Sequence, residues 1–213
     1  MDFSWKENRS AHVDYYTRSV EAHGHSRQAV GWGSVQSQET RFRVLAEIGL
    51  NPASSILDVG CGLGDLYGYL TKNFNVHPSY LGIDITPAMI QAAQAKFPEG
   101  KFIVGDLLAP GNVIPQVDFV LASGIFALLD IDRDPYRIMR NLIAAMFRLC
   151  RIGVAFNSLS SWTPNPEPRK FFVDPVAALT MCREIAPWVT IRHDYMAHDF
   201  TIYLYRSGER KAL

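Results

Sequence analysis

The chain has 213 residues, enough to bury a full core without disulfide or metal staples, and a single domain spanning 1–213 is the natural reading. Its 21 Lys plus Arg balance 21 Asp plus Glu, so the basic excess that marks nucleic-acid binders is missing and no nucleic-acid partner is expected. Cys61, Cys150 and Cys182 fit no metal or redox spacing, the opening MDFSWKENRS lacks the apolar core of a signal peptide, and no run is long enough to span a bilayer; a reducing, cytoplasmic setting without a membrane partner is expected.

Residues 1–47 are polar and aromatic, with Trp5, Tyr15, Tyr16 and Trp32. The run AHGHSRQAVGWG, from Ala22 to Gly33, is broken by glycines and reads as a loop between helices. From Ser34 a helical period resumes, with Phe42, Leu45 and Ile48 on one face, and Gly49 and Pro52 end it. The stretch SSILDVGCGLGDLYGY, Ser54 to Tyr69, follows. Ile56–Val59 is a short buried strand, Gly60, Gly62 and Gly64 stand at alternate positions, and Asp65–Phe74 can run as a helix. Strand, glycine turn and helix form the first crossover of a nucleotide-binding α/β sheet, the glycines allowing a sharp turn and close approach to a ligand. The dinucleotide pattern G-x-G-x-x-G fails in both registers, its last place falling on Asp65 or Tyr67, and the Lys-Ser/Thr end of a phosphate loop is absent. No basic residue lies between Ser54 and Leu70, whereas Asp58 and Asp65 flank the glycines, so a cationic or zwitterionic ligand fits better than a pyrophosphate.

Tyr80–Thr86, YLGIDIT, reads as a second strand ending at Asp84, about 20 residues past the last glycine, where a carboxylate is expected to grip ribose hydroxyls. Thr86 is placed to cap, and Pro87 to open, the helix PAMIQAAQAKF. KFIVGDLL is a third strand ending at Gly105-Asp106; Leu107–Gln116 carries two prolines and a glycine and predicts an irregular crossover. Asp118–Ala122 is the fourth strand, and Pro135–Arg151 a long amphipathic helix with Ile138, Leu142, Ala145, Met146 and Leu149 inward. Gly153–Phe156 begins the fifth strand; the Pro-stiffened insert Ser158–Val173 carries Trp162, Arg169 and Phe172. Asp174 caps the helix PVAALTMCREIA, and WVTIRHDYMAHDFTIYLYR alternates as a hairpin about Met196-Ala197.

Asp58-Val59-Gly60-Cys61-Gly62-Leu63-Gly64 resembles motif I of the class I S-adenosylmethionine-dependent methyltransferases, D/E-x-G-x-G-x-G, and Asp84 and Asp106 follow in that family's order; the resemblance covers Ile48 to Arg206. It implies an α/β, Rossmann-like, seven-stranded mostly parallel sheet of order 3-2-1-4-5-7-6 with helices on both faces. Residues 48–213 would be the catalytic core and 1–47 a helical lid over the cofactor. S-adenosylmethionine would be held by Asp84 on the ribose, Ile85 against the adenine, and Asp106 and Leu107 framing the base. Asp58, Gly60, Cys61 and Gly62 would lie at the methionine portion, with Cys61 a packing residue rather than a nucleophile. Ser123 and Gly124 would lie beneath the sulfonium and Phe126 would offer it a π face or simply fill the core. Trp32, Tyr16 and Gln38 are the lid's candidates; Tyr16, with Trp162 and Arg169 of the insert, is expected on the substrate side.

The implied reaction is in-line methyl transfer to a small-molecule acceptor, by a monomer or homodimer and without a metal. Absence of N/D-P-P-Y after the fourth strand, where Ala122-Ser123-Gly124-Ile125 stands, argues against amino methylation of DNA bases or glutamine. His193 and His198, in the repeated pair HDYMAHDF, are candidate catalytic bases, with His23 and His25 as rivals; all four also read as exposed turn histidines. Their Asp neighbours suggest metal ligation, but no third cluster supports it, and Asp130, Asp132 and Asp134 more simply start the long helix. Two other readings stay open: a protein or tRNA methyltransferase using Arg137, Arg140, Arg148 and Arg151, and a non-catalytic S-adenosylmethionine-binding protein.

Overall fold

The structure, a computed structural model, describes residues 3–31, 33–74, 79–111, 113–130 and 134–208. Its strands are β1 Ile56–Val59, β2 Tyr80–Asp84, β3 Phe102–Val104, β4 Val117–Ala122, β5 Cys150–Leu159, β6 Trp188–Met196 and β7 Asp199–Tyr205. They form one sheet in the order β3-β2-β1-β4-β5-β7-β6. The first five run parallel, and β7 runs antiparallel to both β5 and β6, as the family resemblance implies for the sheet and the alternation of residues predicts for the hairpin. The helices are α1 Phe3–His23, α2 Val35–Ala46, α3 Asp65–Phe74, α4 Pro87–Lys96, α5 Pro135–Leu149 and α6 Pro175–Ile185.

Strand side chains alternate between faces, so the neighbours Ile56 and Leu57 enter different apolar clusters. One cluster joins Phe42 and Leu45 of α2, Leu66 and Leu70 of α3 and Ile90 of α4 to Ile56, Leu121 and Tyr203. The other joins Ile138, Leu142 and Met146 of α5 and Cys182 of α6 to Leu57, Val120, Phe156 and Ile202. A smaller cluster seats Tyr16 and Val20 of α1 on Leu63 of the glycine turn and on Met89 and Ala92 of α4.

Helix ends follow their caps. Ser34 accepts from the Ser37 amide at 3.1 Å, and Asp174 from the Val176 and Ala177 amides at 2.8 Å. Thr86 takes the N-cap position of α4 without a side-chain capping bond; its amide donates instead to Asp84 at 2.8 Å. The boundary between α5 and β5 differs from expectation: the helix stops at Leu149 and the strand begins at Cys150, before Gly153. Arg151 explains the early start, because its guanidinium reaches Asp118 at 3.0 Å and the Gln116 carbonyl at 2.7 Å and ties the new strand to β4.

Register aligns the strand ends. Val59 lies opposite Ile83 and Ala122, and Ala122 opposite Phe156. Gly60, Asp84, Ser123 and Asn157 therefore emerge at one rim, around the β1/β4 junction where strand order reverses and α/β sheets open their ligand crevice. Among the described residues no helix is long and apolar enough to cross a membrane.

Candidate active site

The glycine turn is folded against β2: the Gly60 and Cys61 amides both donate to the Ile83 carbonyl, at 2.8 and 3.0 Å. Gly60 has φ +69°, and a Cβ there would stand 2.4 Å from the Ile125 methyl, so a side chain would collide with the loop after β4. Asp84 clamps the turn to the start of α4, accepting from the Gly62 amide at 3.0 Å and the Thr86 amide at 2.8 Å. Burial pushes the Asp84 pKa up and these amides oppose it. A carboxylate offers about four acceptor positions, so room remains for hydroxyl donors. Beneath the turn Tyr80 donates its hydroxyl to Asp58, whose carboxyl burial raises to about 7.

Asp106, past the end of β3, is met by α1: Trp5 Nε1 donates to it at 3.0 Å and Arg9 Nε lies 3.1 Å away, while the Leu108 amide donates to its other oxygen at 2.8 Å. The loop after β4 is held by Asn157, which accepts from the Gly124 amide at 2.8 Å and donates to Ser123 Oγ at 3.0 Å. Phe126 packs edge-on against Phe156 with ring centroids 5.5 Å apart.

A cavity of about 440 Å³ lies over these strand ends. The glycine turn from Asp58 through Gly60, Cys61 and Gly62 lines it, with the pairs Asp84-Ile85 and Asp106-Leu107. Ser123, Gly124 and Phe126 form its floor on the β4 side, and Tyr16 and Gln38 also face it. At another part of the wall Arg41 donates through Nε to Asp199 at 2.8 Å and approaches His198 Nε2 at 3.2 Å. Tyr195 donates to the second Asp199 oxygen at 2.6 Å. Burial pushes the Asp199 pKa up, and Arg41 and Tyr195 oppose it. A guanidinium only donates, so His198 Nε2 must accept and the ring's proton sits on Nδ1.

Several lining residues escaped the sequence reading. Asn157 carries no signal beyond its strand-end position. Arg41 lies on the same helical stripe as the expected Gln38 and as Phe42, Leu45 and Ile48, and a polar residue at a buried position of such a stripe was the available sign. His12 recurs with Trp5 and Tyr16 at helical spacing; its Nδ1 meets the Asn8 carbonyl at 2.9 Å and must carry the proton, leaving Nε2 as acceptor. Burial lowers the His12 pKa.

Other expected residues are not brought to the cavity. His193 lies on β6, the far edge of the sheet, between the rings of Trp162 at 5.2 Å and Phe200 at 6.1 Å. Trp162 is spent on that contact and is otherwise exposed; Arg169 is exposed at a left-handed backbone position, and the insert instead contributes Glu167 and Lys170, paired at 2.7 Å. His23 and His25 are exposed. Trp32 and Asp132 lie outside the described residues, and Asp134 caps α5 through the Arg137 amide at 3.2 Å.

A family model described as "Methyltransferase domain" matches residues 56–153. Rv1506c of Mycobacterium tuberculosis, a protein assigned to the methyltransferases, is 31% identical over 160 residues, covering 72% of this chain and 94% of that protein. The chain belongs to the class I S-adenosylmethionine-dependent methyltransferases. The methyltransferase is also 32% identical to a trans-aconitate 2-methyltransferase of Enterobacter sp. over 105 residues, 48% of this chain and 39% of that protein. Its fold is similar to that of magnesium protoporphyrin IX methyltransferase from Synechocystis PCC 6803 with bound SAH, with TM-score 0.68 at 16% identity over 94% of this chain and all of that one. A TehB-like SAM-dependent methyltransferase from Corynebacterium glutamicum covers 92% of this chain and 98% of its own, with TM-score 0.59 at 19% identity. The methyltransferase therefore uses S-adenosylmethionine as its cofactor.

Proposed function

We propose that this methyltransferase acts on a small-molecule acceptor bound in the strand-end cavity, with residues 1–47 forming a helical lid on the core 48–213. The observation that carries this reading is the cavity itself: about 440 Å³, lined by α1 and α2 as well as the sheet rim, and within the ~300–1,000 Å³ range of small-molecule sites. The cofactor supplies a methyl group activated by its sulfonium charge. The donor set suits it, because the turn carries backbone amides and acids but no basic side chain between Ser54 and Leu70.

In this reading Asp84's remaining acceptor positions take ribose hydroxyls, and Ile85 and Leu107 flank the adenine. Gly60, Cys61 and Gly62 lie against the methionine portion with Asp58 below. Asn157 presents Ser123 and Gly124, with Phe126, to the sulfonium. His198, protonated on Nδ1 and accepting from Arg41 on Nε2, orients an acceptor as a donor rather than removing its proton. Alignment then carries most of the rate, an effect worth up to ~7–11 kcal/mol.

Charge narrows the acceptor. The lining cations Arg41 and Lys170 are engaged by Asp199 and Glu167, and of the other lining acids Asp65 pairs with Lys96 and Asp106 with Arg9, while burial raises the carboxyls of Asp58 and Asp84. A polycarboxylate such as trans-aconitate would have to displace Asp199 from Arg41 or Glu167 from Lys170, so an acceptor without that charge suits these walls better. The arginine patch of a tRNA or protein enzyme is also partly committed: Arg137, Arg140 and Arg151 pair with Asp134, Glu184 and Asp118. The test is transfer of labelled methyl from S-adenosylmethionine into a fractionated cell extract. Label in the low-molecular-mass fraction is expected; label in protein or RNA overturns the reading, and absence of transfer with cofactor bound favours a non-catalytic binder.

A further inference from the structure

Asp106 stands where the resemblance puts an acid framing the adenine, within reach of its amino group, yet it is held by the chain itself. One carboxylate oxygen receives Trp5 Nε1 at 3.0 Å and faces Arg9 Nε at 3.1 Å; the other receives the Leu108 amide at 2.8 Å. Asp106 and Trp5 are 5% and 6% exposed, so their bond joins residues 101 apart in sequence inside the protein. Indole and guanidinium nitrogens only donate, and a carboxylate has about four acceptor positions, so α1 and the loop occupy most of what an adenine amino group would use. With α1 docked the cavity is still open, at about 440 Å³, and Trp5, His12 and Tyr16 of α1 line it. Docking of α1 and ligand occupancy are therefore compatible rather than competing.

We infer that Asp106 serves the cofactor indirectly, as the anchor that docks α1, and that Trp5 and its helix face close over the adenosine end. Asp106 is a positioning residue, whereas Trp5 belongs to the cofactor site. Coupling of this kind is reciprocal: a ligand that gains affinity from docked α1 stabilises the docking by the same factor. Opening of the Trp5–Asp106 bond then weakens the hold on S-adenosylhomocysteine by that factor.

The test is calorimetric titration of S-adenosylhomocysteine, and of S-inosylhomocysteine, which lacks the adenine amino group, into wild type, Trp5→Phe, Arg9→Gln, Asp106→Asn and the Trp5→Phe/Asp106→Asn double variant. Hydrogen exchange of α1 is followed with and without S-adenosylhomocysteine. Trp5→Phe and Asp106→Asn are expected to weaken both ligands by a similar factor, about tenfold. The double variant should bind within about twofold of Asp106→Asn, as residues acting in one contact do. Ligand should slow exchange in α1 of wild type but not of Asp106→Asn. The inference is overturned if Asp106→Asn erases the preference for S-adenosylhomocysteine over its inosyl analogue, since Asp106 would then read the amino group directly. It is also overturned if Trp5→Phe, which keeps a ring at the site and decides the matter should Asp106→Asn fail to fold, binds as wild type does. Cofactor binding alone is read, so the outcome is independent of the acceptor's identity.

Discussion

Asp84 fastens the glycine turn and, in the proposed function, also takes the ribose. Its oxygens fasten the Gly62 and Thr86 amides, and its remaining acceptor positions face the cavity. Asp84→Ala is expected to weaken S-adenosylhomocysteine binding by at least about tenfold in calorimetry; unchanged affinity in a folded variant rules out the ribose assignment. Asp58 makes a different prediction. Burial raises its carboxyl to about 7, with the Tyr80 hydroxyl opposing the rise. An unfolded Asp releases its proton near pH ~4, so between there and about 7 the folded chain holds a proton that the unfolded chain has lost. Stability from this site is greatest below the unfolded value and falls as pH rises toward neutrality, at up to about 1.4 kcal/mol per pH unit. Asp58→Asn removes that slope. Melting temperatures across about pH 5 to 7, within that window, should show the variant gaining on wild type as pH rises, with the difference levelling off above about 7; a constant difference means no such proton is held.

The polar knot between α2 and the β6–β7 hairpin is a matter of elements. Arg41 and Asp199 have side chains 5% and 3% exposed and join a helix to a hairpin 158 residues away. Removing one partner leaves a buried charge unmatched, which typically costs about 3–5 kcal/mol, whereas replacing both by apolar groups can be nearly neutral. Arg41→Leu should therefore lower unfolding free energy in urea by about that amount, and adding Asp199→Leu should recover much of it. If the two losses simply add, the pair is not a coupled unit. The same knot bears on the site, because His198 is oriented through Arg41.

Across the whole molecule, the strand-end cavity proposed for the cofactor is assembled from β1, β2, β4 and β5 on one rim, from α1 and α2, and from the segment after β5. A ligand touching so many elements should stabilise them together. S-adenosylhomocysteine at 100 times its Kd adds about 2.7 kcal/mol. For a chain of this size that corresponds to a rise in Tm of about 5–10 °C. NAD, which the failed dinucleotide pattern excludes, should leave Tm unchanged; a shift with NAD and none with S-adenosylhomocysteine contradicts the cofactor assignment.

Spacing along the chain was enough for α3 at Asp65–Phe74, for α4 from Pro87 and for the strand ends that carry Gly60, Asp84, Asp106 and Ser123, whereas the sheet order followed from the family resemblance that the glycine run carries. The features read from spacing are local: a glycine run, an apolar period and a proline after a capping residue act within a few neighbours, and a ligand crevice opens at the carboxyl ends of such strands once their order is given. The partners of the site's polar groups are not local. Trp5 reaches Asp106, Arg41 reaches Asp199 and Asn157 reaches back to Ser123 and Gly124, and nothing in the intervening residues encodes those distances. His193 and His198 show the limit from the other side, since four residues of one hairpin separate a ring packed on Trp162 from one that lines the cavity. Burial and hydrogen bonding are settled by which surfaces meet when helices close on the sheet, and that is a property of packing in three dimensions rather than of any stretch of chain.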